Sequence, residues 1–456
     1  MLSPGERTVP RVGPALLSQY DVAIPRYTSY PAVPDWTGGI DAAAWQRHLH
    51  SLDGSAAPLA LYVHLPFCAS RCLYCGCNAT VTTRAEVVDR YLNRLEREIG
   101  MLTHAIGRGP RVAEMHWGGG TPNFLDAAQL SRLVAMLRRA FAVDAETECS
   151  IEADPRLVSP GQLRQLRELG FTRISFGVQD FDADVQEAIG RIQPATMIAA
   201  VVAEARAAGF EGINFDLIYG LPRQTAEGFE RTVAETLALS PDRVACFGYA
   251  HVPWMRPHQK RIDAAELPVN HARFDLFRRA VEQFMAAGYE WIGLDHFAKP
   301  DDPLARAAEA GTLHRNFMGY TTRVGEHLLG IGTSAISDVN GWYVQNPPEL
   351  GDWQRAIDAG ELTVARGHML TEADVLHGAA ITHLMCNGEL PYSLWVGGES
   401  DLRSRFAAFA SDGFVTFQER RVRVTALGRF FVRNLCAALD AYRSAADGQS
   451  RFSRAV

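Results

Sequence analysis

The sequence predicts an α/β fold: an open, partial barrel of six β/α units, a (β/α)6 arrangement. An N-terminal arm precedes it, and a mainly helical, winged-helix-like C-terminal domain follows. Three observations predict this. From Leu61 onward, short apolar runs alternate with amphipathic helical stretches, and the short connections demand a parallel sheet with helices outside. Six to seven such units occupy about 240 residues, too few for a closed eight-fold barrel. Polar residues recur at the carboxyl ends of the predicted strands, where such folds gather ligands.

The elements follow in chain order. Residues 1–56 have little periodicity and form an arm containing PRYTSYPAVPDW. LYVHLP (61–66) is a strand that feeds a cysteine-rich loop. The next helix is expected to open on a Thr83/Glu86 capping box and to bury Val88, Leu92, Leu95, Ile99 and Leu102. VAEMHW (112–117) is a strand, with a helix at about 126–141. CSIEAD (149–154) is a strand, and a helix starts at Ser159 and Pro160 and stops at Gly170. RISFGV (173–178), INFDLIYG (213–220) and VACFGYA (244–250) are strands. Helices lie within 194–208, 225–239 and 271–287, and WIGLDHF (291–297) is read as one more strand. The barrel is placed at 57–300 and a connecting segment at 301–360. The last domain is placed at 361–456, with helical stretches near 371–386 and 400–410 and two short strands and a helix over 412–435. For that module a packing or lid role is favoured over DNA binding, because the wing is short and the chain acidic.

At 456 residues the chain calls for two or three domains. The formal charge of −7 argues against a general nucleic-acid partner. No apolar run reaches the roughly 18 residues that span a membrane. Residues 1–20 lack a signal-peptide core. A cytoplasmic monomer without nucleic-acid or membrane partners is the expectation. Cys149, Cys246, Cys386 and Cys436 sit in apolar stretches and read as small buried hydrophobes.

Chemistry concentrates in PFCASRCLYCGCN. Cys68, Cys72 and Cys75 have C-x3-C-x2-C spacing, and Cys77 follows two residues later. Three thiolates on one tight loop can hold three corners of a cubane iron–sulfur cluster and leave one iron open. A structural zinc site would need a second pair of ligands, and a ferredoxin a different run with a closing fourth cysteine. GGGTP (118–122) after a strand offers backbone amides without side-chain obstruction. Glu152 at the end of another strand reads either as a double acceptor for vicinal ribose hydroxyls or as a solvated strand-end carboxylate. His64 shares a face with Tyr62. It reads either as a proton donor or substrate contact, or as a satisfied buried histidine.

These motifs carry a resemblance. The cysteine spacing with Tyr74 before the third cysteine, followed by GGGTP, resembles the radical S-adenosylmethionine superfamily. PRYTSYP (25–31), YVHLPFC, Cys77, HWGGGTP (116–122) and IEADP (151–155) are similar to the oxygen-independent coproporphyrinogen III oxidase family. So are SFGVQDF (175–181), DLIYGLP (216–222), DHFAKPDD (295–302) and LHRNFMGYTT (313–322). The resemblance runs from about residue 20 to the C-terminus. It implies a barrel of the radical S-adenosylmethionine type, a [4Fe–4S] cluster on Cys68, Cys72 and Cys75, and two S-adenosylmethionine molecules. Tyr62, Gly119, Glu152 and Ile336 would contact the first molecule. Tyr74, Gly120, Thr121, Gln179, Arg191, Asp216 and Ala250 would surround the second. Cys77 would serve catalysis without binding the cluster.

The implied reaction turns two propionates of coproporphyrinogen III into vinyl groups by 5′-deoxyadenosyl radical abstraction, giving protoporphyrinogen IX in haem biosynthesis. It needs an unidentified reductant and electron acceptor. Arg26, His314 and Arg315 are candidate clamps for the substrate carboxylates, against the alternative that the arginines serve structure. The rivals are a haem chaperone of the same superfamily, a haem-degrading radical enzyme, and a regulatory iron–sulfur protein.

Overall fold

The computed structural model describes residues 9–323, 327–443 and 452–455. The predicted strands are present as β1 (Leu59–Leu65), β2 (Val112–Gly119), β3 (Glu148–Ala153), β4 (Phe171–Gln179), β5 (Gly212–Tyr219) and β6 (Arg243–Gly248). Five helices return the chain between them: α1 (Ala85–Ile106), α2 (Ala127–Ala140), α3 (Pro160–Glu168), α4 (Ala195–Ala207) and α5 (Ala226–Leu239). The helix α6 (Asn270–Ala286) follows β6. All neighbouring pairs from β1 to β6 are parallel. The sheet stays open, as an incomplete barrel requires.

Residues on the two faces of each strand divide by period two. Val63, Trp117, Ile151, Phe176 and Phe215 are buried. Between them in sequence, register aligns Tyr62 with His116 and His116 with Ser150. The same register aligns Glu152 with Ser175, Ser175 with Asn214, and Gly177 with Asp216. Polar groups from five strands therefore stand in rows on one face.

The sheet is larger than predicted. Residues 291–297 do not form one strand. They split into β7 (Glu290–Ile292) and β8 (His296–Ala298), antiparallel to each other, with β8 antiparallel to β6. Gly293, at φ +53°, turns the chain, and the Tyr320 ring occupies the space a side chain would need there. On the other edge, β9 (His327–Ile331) pairs parallel with β1. β10 (Ile336–Val339), β11 (Trp342–Gln345) and β12 (Arg366–Met369) then continue antiparallel. A hairpin of His314–Asn316 and Gly319–Thr321 stands apart from the main sheet.

The expected Thr83/Glu86 capping box is absent. Arg84 occupies the N-cap position without a side-chain cap, and α1 begins at Ala85. The cause lies upstream: the Thr82 N–H donates to the Cys68 carbonyl (3.0 Å), and Thr82 Oγ1 accepts from the Arg84 N–H (3.2 Å). Tertiary pairing keeps the chain extended until then. The apolar face of α1 is buried as expected, while α2 has an Asp126/Gln129 capping box and α3 is capped by Ser159.

The C-terminal region contains α7 (Glu372–Asn387), shorter helices at Gly398–Arg405, Ala407–Ser411 and Val432–Ala437, and three antiparallel strands. The strand Glu389–Pro391 adds to the two expected from sequence. Tyr27 and Tyr30 of the arm share one apolar core with Phe414 and Leu435. The four outlying cysteines are buried. No helix among the described residues is long and apolar enough to cross a membrane.

Behind the barrel rim, Glu98 of α1 accepts hydrogen bonds from the Gly332 N–H (2.8 Å), Asn346 Nδ2 (2.8 Å) and Trp353 Nε1 (3.2 Å). Burial raises its pKa to about 7 despite these donors. The folded state therefore holds the proton more tightly than the unfolded chain. Its stabilisation is full below the unfolded value near 4.5 and is lost as pH rises towards 7. Glu98 should account for up to about 3 kcal/mol of that decline. Urea unfolding of wild type and Glu98→Gln at pH 5 and pH 7.5 checks this: the variant should show the shallower fall.

Candidate active site

The cysteine loop leaves β1 through Phe67–Cys68, which pairs with Thr80–Val81 and closes the loop at its base. The Leu73 N–H donates to the Ile189 carbonyl (3.0 Å), His258 Nε2 lies 2.8 Å from the Cys75 carbonyl, and Gln259 Nε2 donates to the Tyr74 carbonyl (2.8 Å). The loop is thus anchored from three sides. Cys68, Cys72, Cys75 and Cys77 line one open cavity of about 480 Å³ over the carboxyl ends of β1–β6.

The glycine ledge forms the adjoining wall. Gly119 has φ +114°, and a Cβ there would lie 2.6 Å from the His64 ring. A Cβ on Gly120 would lie 2.7 Å from the Phe67 carbonyl oxygen. Two backbones meet here with no room for a methyl group. Gly120→Ala should cost about 1–3 kcal/mol and displace the loop, seen as a lowered unfolding midpoint with reduced iron uptake on reconstitution.

Glu152 faces the same cavity. The Gly119 N–H donates to Oε2 (3.1 Å), and His116 Nε2 lies 3.4 Å from Oε1. Burial alone would raise its pKa. The His116 contact and the backbone N–H overcome this and hold it below the ordinary value. His116 is fixed in turn by Ser150 Oγ (2.7 Å) and by stacking on Tyr62. Asp216 behaves oppositely. Burial and the nearby Glu152 push it to about 7, while Ser175 Oγ and Asn214 Nδ2 donate to it. Two carboxylates in one cavity thus titrate in different pH ranges.

On the far side, buried Arg191 donates to Asp154 Oδ2 (3.1 Å), Cys72 Sγ (3.4 Å), the Gly177 carbonyl (2.8 Å) and Gln193 Oε1 (3.1 Å). Arg156 also holds Asp154 (2.6 Å) and reaches Cys72 Sγ (3.8 Å). Gln179, at φ +68°, carries a buried Oε1 without a partner. Hydrogen bonding between Cys75 and Cys77 lowers the Cys75 pKa and raises that of Cys77.

Residues 62–235 match the Radical SAM superfamily. Oxygen-independent coproporphyrinogen III oxidase of Pseudomonas aeruginosa is 42% identical over 451 residues, covering 97% of this chain and 98% of that protein. The oxidase of the same name from Escherichia coli is 40% identical over 450 residues, with the same coverage. A solved structure described as coproporphyrinogen III oxidase from Escherichia coli, a radical SAM enzyme, superposes with a TM-score of 0.87 at 40% identity. It covers 92% of this chain and 98% of that one.

The chain belongs to the oxygen-independent coproporphyrinogen III oxidase family.

The donor set fits the family's cluster. Three thiols share one cavity with an unobstructed glycine ledge. In a cubane each thiolate binds its own iron. Nine of the eleven residues expected to contact S-adenosylmethionine line this cavity: Tyr74, Gly119, Gly120, Thr121, Glu152, Gln179, Arg191, Asp216 and Ala250. Tyr62 and Ile336 stand behind its wall. The Tyr62 hydroxyl lies 3.1 Å from His64 Nδ1, and Ile336 packs its backbone against Gly330, the register partner of Tyr62.

His64 is buried behind Gly119, with Nε2 3.0 Å from the Asn78 carbonyl. Its ring nitrogens thus have partners within the protein, in the Tyr62 hydroxyl and the Asn78 carbonyl. Among the proposed clamps, Arg26 forms an ion pair with buried Asp295. Arg315 donates to the Arg26 carbonyl (3.0 Å) and lies over Tyr320. Both arginines therefore have internal partners, and neither they nor His314 line the cysteine cavity. Sequence reasoning missed His116 and Arg156. The alternation of β2 placed His116 on the polar face, and nothing local pointed to its contact with Glu152.

Proposed function

We propose that this family member carries out the oxygen-independent oxidative decarboxylation of two propionates of coproporphyrinogen III, giving protoporphyrinogen IX. The single supporting observation is the cavity that joins three loop thiols, a glycine ledge and Glu152 in a chain related over nearly its whole length to oxidases of that name. Each propionate becomes a vinyl group by losing one hydrogen atom, carbon dioxide and one electron. When bound, a [4Fe–4S] cluster on Cys68, Cys72 and Cys75 together with S-adenosylmethionine supplies reductive sulfonium cleavage and hydrogen-atom abstraction at the propionate β-carbon.

The protein's own groups bind and orient. Glu152 has one oxygen tied to Gly119 and the other near His116, so lone pairs on both remain for vicinal ribose hydroxyls. Gly119 and Gly120 let backbone approach the amino-acid end of that ligand. We assign a second S-adenosylmethionine to the side bounded by Tyr74, Gly120, Thr121, Gln179, Arg191, Asp216 and Ala250, where the unpartnered Gln179 Oε1 awaits a donor. Asp216 can hold or release a proton near neutral pH. Cys77, at the cavity wall, is the assigned thiol for substrate chemistry outside the cluster.

The test is anaerobic incubation of the reconstituted enzyme with dithionite, S-adenosylmethionine and coproporphyrinogen III. Protoporphyrinogen IX and 5′-deoxyadenosine are expected together. Release of 5′-deoxyadenosine without vinyl product would refute the substrate, and haem binding without turnover would favour the chaperone.

A further inference from the structure

A second large cavity, of about 480 Å³, lies away from the cysteines. Ala60 of β1, Leu328 of β9 and Asp338 of β10 form its sheet wall, with Leu328 in register with both of the others. The hairpin residues His314 and Arg315 and the α7 residues His383 and Asn387 form the facing wall, and Thr28–Tyr30 of the arm cover one end. A third cavity on the polar face of the sheet joins the two. It shares Asn316 with the second cavity and Glu152, Ser175, Asp216 and Phe247 with the cysteine cavity.

The polar groups here are unsatisfied in a way that packing does not explain. Arg315 Nε, His383 Nε2 and Asn387 Oδ1 are buried without partners. Unfilled hydrogen-bonding capacity at such depth carries a desolvation cost that a partner would remove. Three such atoms around one cavity are the pattern a ligand would complete. Two nitrogens, Arg315 Nε and His383 Nε2, stand on one wall beside the Asn387 Oδ1 acceptor, and an acidic acceptor, Asp338, stands on the other. Leu313, Leu328, Leu370 and Val375 supply apolar surface between them. The complementary ligand is a broad apolar body with carboxylates on one side and N–H donors in its middle.

We propose that this distal cavity seats the half of the porphyrinogen that does not react: Arg315, His314 and His383 donate to the surviving propionates, and Asp338 accepts from pyrrole N–H groups. Ala60 lies five residues before Leu65, about 16 Å along the strand. A tetrapyrrole with extended side chains covers that span, so its reacting propionates point towards the cysteine cavity. The site therefore selects which propionates are spared. The inference rests on the porphyrinogen reading above.

The test uses the holoenzyme without S-adenosylmethionine, so that no turnover occurs. Coproporphyrinogen III binding is measured by anaerobic ultrafiltration for wild type, Asp338→Asn, His383→Leu and Val375→Trp. The last change narrows the cavity from an exposed rim position and disturbs no buried group. Each variant should bind about tenfold more weakly, and under turnover KM should rise with release of partly decarboxylated product. Wild-type binding with all three variants within twofold of it would overturn the distal seat and leave the substrate reading intact. No binding by wild type would remove the substrate reading itself.

Discussion

Cys72→Ala should abolish vinyl formation, a loss of at least about 10³-fold, together with the visible absorption of the reconstituted cluster. Cys72 is the deepest of the loop thiols, buried where Cys68 and Cys75 are half-buried. Its sulfur is the one reached by both Arg191 and Arg156. A methyl group in its place removes one corner of the donor set and leaves two cations facing an apolar wall. Cys77→Ser separates the two kinds of thiol: it should keep the iron and the absorption while losing turnover. Iron content and absorption decide the matter, and a Cys72→Ala protein that retains both would refute the ligand assignment.

Arg191→Met should cost about 3 kcal/mol of stability, the lower end for breaking a buried ion pair. Asp154 keeps Arg156 as a partner, which limits the loss. Gln193 Oε1 has no such substitute for the fork of the guanidinium, and the Gly177 carbonyl keeps only the longer bond from Gln193 Nε2 (3.3 Å). Arg191→Lys restores a charge beside Asp154 without matching that fork, and it should recover less than half of the loss. Urea unfolding of the three proteins checks the order, and a change within 0.5 kcal/mol for Arg191→Met would show that the fork is dispensable (surface pairs typically contribute about that much).

The β1–β6 alternation was legible because each unit is locally complete: an apolar run, a turn and an amphipathic helix. β9 was missed because its parallel partner β1 lies far away in sequence, and β10 and β11 because no helix separates these short antiparallel strands. His327, for example, pairs with Leu59. Residues 291–297 looked like one strand because Gly293 is a turn only once Tyr320 fills the adjacent space. At the site, the cysteine loop and the glycine ledge are contiguous in sequence and could be read directly. Arg26 could not, since its carboxylate partner lies 269 residues away. Separation in sequence also hid the role of His116, whose significance depends on a side chain 36 residues later.

The buried Arg433 has a consequence for how the chain is made. Its guanidinium donates to the carbonyls of Ile24 and Pro25 in the arm and to those of Ser453 and Arg454, while Ala23 pairs with Arg454. Ile24 leaves the ribosome 409 residues before Arg433 does. The arm must wait, without its acceptor's partner, while the entire barrel is synthesised. Docking of the arm is therefore a late event of biogenesis, and a nascent chain halted before Arg433 should expose Ile24 and Tyr27 to protease long after β1–β6 have become resistant.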